Sequence, residues 1–209
     1  MACRFDSGQS HHSLNTNMIY LIDQPLTETS HSRFMIDIIK QHTSVGIELV
    51  ALENITVMND IYQIIADLAP CVTARDIVLI PWCVPADYHL DALVESLTYR
   101  VQEVVVAAGN FSSPIETISP ARAPLVTTVG TLNKQGLFAK LSNYSDSKEI
   151  VWIPGTNYDV GWKNSSGTSV SAALYTAWLA EAIKAEDYRL LDQKIAEQKA
   201  KVLAEINQA

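Results

Sequence analysis

Short apolar runs alternate along the chain with stretches whose apolar residues recur at helical spacing. The first run, Ile19–Ile22 (IYLI), ends in Asp23 and a turn-prone QPLTETS segment. From His31 onward Phe34, Met35, Ile38 and Ile39 recur every three to four positions, which predicts a helix. Gly46–Leu52 (GIELVAL) predicts a second strand. Val57, Ile61, Ile64, Ile65 and Leu68 then form a helical stripe that stops before Pro70. Asp76–Ile80 is a third strand, and Asp87 reads as the N-cap of a helix bearing Leu90, Leu93, Leu97 and Val101. Val104–Ala108, Leu125–Val129 and Ile150–Ile153 complete the set of strands.

Continuous apolar, β-branched runs must be buried on both faces. Their alternation with helices predicts an α/β fold of three layers, a mainly parallel central sheet with helices on both faces. In such sheets functional groups gather beyond the carboxyl ends of the strands. Asp23 and Asn110 each follow a strand. After Ser169 the chain reads as helix, first ALYTAWLAEAIKA and then EDYRLLDQKIAEQKAKVLAEINQA. The second piece is amphipathic, with Leu190, Leu191, Ile195, Val202, Leu203 and Ile206 among many charges. It is expected to dock on its own domain, a partner protein being the alternative. The organisation is therefore a polar N-terminal extension over 1–17, a main domain over 18–183 and a C-terminal amphipathic helix over 184–209.

Composition narrows the partners. Of 209 residues, 48% are hydrophobic and 18% charged, enough apolar matter for a buried core. A net charge of −8, with no local Lys/Arg cluster, argues against a nucleic-acid partner. No apolar stretch approaches the ~20 residues that span a bilayer, so no membrane partner is expected. The opening residues lack the apolar core of a secretory signal. Cys3, Cys71 and Cys83 are few, odd in number and not in metal-ligand pairs, which points to a reducing compartment and a cytoplasmic protein. Export by a route that needs no signal would leave no mark here.

The candidate chemistry begins with Asn164–Ala173, NSSGTSVSAA. Gly167 can take a backbone conformation closed to other residues, and Ser169 lies at the start of a helix. The free N–H groups there can stabilise an oxyanion, although the same residues also suit a plain Ser/Thr N-cap. In VVVAAGN, residues 104–110, a strand delivers the Asn110 amide to the sheet edge, as an oxyanion donor or as an ordinary Gly-Asn turn. A serine nucleophile needs a base and a group that orients it. All five histidines precede Ser169 and no G-x-S-x-G elbow occurs, which removes the Ser…Asp…His order. The order Asp…His…Ser on an α/β scaffold remains. His31, opening a helix soon after Asp23, fits the base, and a surface histidine and a turn aspartate are the plainer readings. His89 is an alternative base and Cys83 an alternative nucleophile, or else a buried structural thiol.

Together these segments resemble the subtilisin-like serine proteases (subtilases) over roughly residues 18–183. IYLID is similar to that family's strand carrying the catalytic acid, and HSRFMIDII to its helix opening with the general base. VVVAAGN resembles the strand with the oxyanion asparagine, and SGTSVSAA the Gly-Thr-Ser signature of the nucleophile. SPARAPLVTTVGTL, FAKLSNYSD and VWIPGTNYDV resemble the framework between them. The resemblance implies a subtilisin-like catalytic domain with Asp23, His31 and Ser169 as triad and Asn110 in the oxyanion hole. It also implies a substrate edge formed by Trp82, Cys83, Ala108 and Gly109. No cofactor and no metal are implied by this chemistry, and the partner is a protein or peptide substrate. The chain departs from the family in several places. Only eight positions separate Asp23 from His31, Ser32 and Arg33 replace a Gly-Thr pair, and Asp37 replaces a glycine. Ala173 replaces a proline, and IPWCVP (Ile80–Pro85) stands for Ser-Leu-Gly-Gly. The expected function is a serine endopeptidase of restricted specificity that folds without a folded pro-segment. The rival expectation is a subtilase-fold binding module that has lost turnover.

Overall fold

The computed structural model describes residues 17–54 and 56–206. The N-terminal extension expected over 1–17 lies outside the described residues apart from Asn17, whose side-chain amide donates to the Ala180 carbonyl.

In chain order the elements are β1 (Met18–Asp23), α1 (His31–His42), β2 (Gly46–Ala51), α2 (Met58–Leu68), β3 (Ile77–Ile80) and β4 (Val84–Pro85). Then come α3 (Tyr88–Thr98), β5 (Glu103–Ala107), β6 (Ile118–Ser119), β7 (Thr127–Leu132) and β8 (Val151–Pro154). The chain ends with β9 (Tyr158–Asp159), β10 (Asn164–Ser165), α4 (Thr168–Ala185) and α5 (Arg189–Ile206). Six strands form a parallel sheet in the order β2-β1-β3-β5-β7-β8. Strands β4 and β6 pair antiparallel beside it, and β9 and β10 form a hairpin.

The apolar runs work by the two-residue period of a strand. Ile19 and Leu21 of β1, Ile77 and Leu79 of β3, and Val105 and Ala107 of β5 face the layer of α1, α4 and α5. Tyr20, Ile22, Val78, Ile80, Val104 and Val106 face the layer of α2 and α3. Burial on both faces is why the strands read as unbroken apolar runs. The three-layer α/β fold is the one the pattern predicts. Helix α4 is buried almost all round because it crosses the centre of one layer, against β1, β3, β5, β7 and β8. The amphipathic α5 packs on α4 and β8, with Leu191 buried and Leu190 and Ile195 partly so.

Local signals set the helix starts. Ser30 caps α1, its hydroxyl accepting from Arg33 N, and Asp87 caps α3 by accepting from Leu90 N at 2.8 Å. Three boundaries differ from the pattern. Val57 is the exposed residue before α2, not part of its stripe. Strand β7 begins two residues later than expected, leaving Leu125 exposed. Val101 is buried in the turn after α3. Of the cysteines, Cys83 is free and partly buried. Among the described residues no helix is long and apolar enough to cross a membrane.

Candidate active site

Strand β1 ends in Asp23, and α1 returns over the sheet beginning with His31, so both residues stand at the carboxyl edge of the sheet. Asp23 is 3% exposed. Its Oδ2 lies 2.6 Å from His31 Nδ1, and its Oδ1 accepts from the Gln24 N–H at 2.8 Å. The carboxylate thus fixes the ring and draws a proton to Nδ1, which leaves Nε2 as the basic nitrogen. The His31 side chain is 34% exposed, open enough to meet a substrate.

The second group of residues gathers at the start of α4, which packs against α1. Ser169 is in the first turn of α4, where N–H groups lack intrahelical partners. Asn110 Oδ1 accepts from Thr168 N at 3.0 Å and from Thr168 Oγ1 at 3.1 Å. Thr168 Oγ1 in turn accepts from Gly109 N at 3.0 Å. The end of β5 is thereby tied to the start of α4, and the Asn110 Nδ2 amide is left as a donor. Gly167 makes the approach possible. Its φ is +154°, and a Cβ there would press to 3.1 Å from Asn110 Nδ2. Among the described residues Ser169 makes no hydrogen bond to His31. The geometry brings Asp23 to His31 and Asn110 to the Ser169 turn as two joined pairs.

Two residues of the expected substrate edge have buried side chains. Trp82 is 8% exposed and donates its indole N–H to the Ile22 carbonyl at 2.7 Å. Its ring therefore braces the strand that carries Asp23, because a buried indole N–H needs an acceptor. The Ala108 methyl is buried in the core against the α2 and α3 layer, and its N–H donates to Val129 O. Gly109 has φ +92°, and a Cβ on it would meet Asn143 Nδ2 at 2.6 Å. Cys83 does stand beside a cavity, of about 260 Å³, shared with Val84, Pro85, Phe111, Thr117 and Ile118. His89 is set aside as a base, since it sits on α3 in the opposite layer with its ring against Tyr62.

Burial pushes the Cys83 thiol up to about 11. A thiol that stays protonated near neutral pH is a poor nucleophile. Its alkylation by iodoacetamide should be slow at pH 7 and accelerate as pH climbs toward 11. Rapid alkylation at pH 7 would restore Cys83 as a rival to Ser169.

Sequence reasoning missed several supporting groups. Buried Asn143 accepts from the N–H groups of Phe111 and Ser113 through Oδ1 and donates its own N–H to Gly109 O, fixing the turn after Asn110. Ser32, fully buried, pairs with Ser30 at 2.8 Å, so its hydroxyl is satisfied where the family has glycine. The Ser30–Arg33 spacing carried a cap signal; Asn143 lies in FAKLSNYSD, a segment similar to the family framework that gave the residue no role.

Residues 87–203 match the subtilase family. A cuticle-degrading serine protease from Orbilia oligospora is 33% identical over 89 residues, covering 39% of this chain and 21% of that protein. The chain thus spans about a fifth of that relative's length. A cold adapted subtilisin-like serine proteinase superposes with a TM-score of 0.66 at 16% identity, covering 88% of this chain and 81% of that one. A lanthipeptide protease superposes with a TM-score of 0.67 at 14% identity, covering 82% and 74%. At these identities the structural likeness is one of fold.

Proposed function

The chain belongs to the subtilase family, and from that premise we propose that it is a serine endopeptidase working through Asp23, His31 and Ser169. The observation that supports this reading is the 2.6 Å bond between Asp23 and His31 at the carboxyl edge of the sheet, together with the tie of Asn110, just beyond β5, to the first residue of α4. In the proposed cycle Ser169 Oγ attacks the scissile carbonyl while His31 Nε2 takes the hydroxyl proton. Asp23 holds the ring and stabilises the imidazolium. The Asn110 amide and the Ser169 N–H receive the oxyanion. His31 then gives its proton to the departing amine as the carbon–nitrogen bond breaks, leaving an ester on Ser169. Water, deprotonated by His31, hydrolyses that ester and returns the serine.

The cavity beside Cys83 supports a restricted substrate set. Its walls of Val84, Pro85, Phe111 and Ile118 suit an uncharged apolar side chain next to the scissile bond, and Phe111 follows Asn110 directly. A fluorophosphonate probe tests the proposal. Wild-type protein should be labelled and Ser169→Ala should not, with the adduct mapping to residue 169. Labelling that survives in Ser169→Ala would remove this nucleophile, and an unlabelled wild type would leave a binding module.

A further inference from the structure

The departures that follow His31 in the sequence form one network. Arg33 Nε donates to both carboxylate oxygens of Asp37, at 3.1 and 3.0 Å. Asp37 Oδ2 also accepts the Trp162 indole N–H at 2.8 Å. The Trp162 ring meets Phe34 edge to face, with centroids 6.0 Å apart, and the Lys163 ammonium lies 5.3 Å from the centre of the Phe34 ring. Phe34 follows His31 by three positions and Asp37 follows Phe34 by three, so each adjoining pair shares a face of α1. At the far end of α1, the Tyr158 hydroxyl lies 2.6 Å from His42 Nε2 and donates to Gln41 at 2.9 Å. The β9–β10 hairpin is therefore fastened to α1 at both ends.

That hairpin runs straight into the nucleophile. Ser165 of β10 pairs with Tyr158 of β9, and Asn157 N donates to Ser166 Oγ at 2.7 Å. Gly167 N donates to Gly155 O at 3.1 Å, closing the base of the loop two residues before Ser169. Helix α1 carries the proposed base and the hairpin leads to the proposed nucleophile. A contact between them fixes one against the other.

We propose that Trp162, held by Asp37 and Phe34, is a positioning residue that sets the Ser169 turn against the helix of His31. The inference rests on the protease reading above. It accounts for Asp37 on α1, where the family has a glycine, since a glycine offers no acceptor to an indole. Trp162 is 41% exposed and the Arg33 side chain 47% exposed, so the network lies at the surface and adds little to global stability. Its value lies in alignment, where small displacements are costly in rate.

The experiment compares Trp162→Ala, Asp37→Ala and Asp37→Asn. Both alanine variants should lose about tenfold in kcat with KM within about twofold and Tm unchanged. Asp37→Asn keeps an oxygen for the indole N–H and should recover most of the rate. An unchanged kcat in both alanine variants, or a loss that merely follows a fall in Tm, would overturn the assignment. Hydrogen exchange of the amides from 158 to 166 gives a readout independent of turnover. Faster exchange in Trp162→Ala, with α4 unaffected, supports the latch even in a protein whose serine is never labelled, an outcome that would sink only the protease reading. Unchanged exchange would sink the latch itself.

Discussion

Removing His31 or Ser169 singly should lower kcat by about six orders of magnitude, and removing both should cost no more than removing either. The non-additivity follows from the roles. Without Nε2 to accept its proton, the Ser169 hydroxyl is a poor nucleophile, and without the hydroxyl the imidazole has nothing to activate. Asp23→Asn should be milder, at about four orders of magnitude. The asparagine fits the same space, but its amide can turn an N–H toward Nδ1 and so favour the tautomer with the proton on Nε2. The Asp23–His31 contact at 2.6 Å is the geometry that such a change reverses. The measurement is kcat for each single variant and for His31→Ala with Ser169→Ala, on one peptide substrate. Losses that multiply would show that the two residues do not act as a unit.

How much of this was legible without coordinates depended on what kind of signal each feature leaves. Strands such as Ile77–Ile80 are buried on both faces, and burial on both faces demands apolar side chains at every position. Helix α3 announced itself through the Asp87 cap, because the cap is a local bond between residues three apart. The β9–β10 hairpin left no such trace. Its strands are two residues each, and its place is set by Trp162 reaching Asp37 across 125 positions. The orientation of Trp82 was equally hidden. Its segment suggested a wall for substrate, yet the indole N–H found the Ile22 carbonyl sixty positions away. Asp23, His31, Asn110 and Ser169 were readable as candidates because each stands where a strand ends or a helix begins. The supporting bonds of Thr168 and Asn143 were not readable, because they form only when the fold brings Gly109 between them.

Asn110→Ala should lower kcat by about 10² to 10³ and leave KM nearly unchanged. An oxyanion donor acts on charge that develops only on the way to the tetrahedral intermediate, so the ground-state complex hardly feels its loss. The asparagine has a second duty, however, since its Oδ1 holds the N–H and hydroxyl of Thr168. A slow Asn110→Ala enzyme could therefore reflect a loosened Ser169 turn. Asn110→Asp separates the two duties. It keeps an oxygen for Thr168 but offers no N–H, and its negative charge opposes the oxyanion. If the amide is the donor, Asn110→Asp should be at least as slow as Asn110→Ala while its Tm stays closer to wild type. An Asn110→Asp enzyme with wild-type kcat would reduce Asn110 to an anchor and move the oxyanion to the backbone of α4 alone.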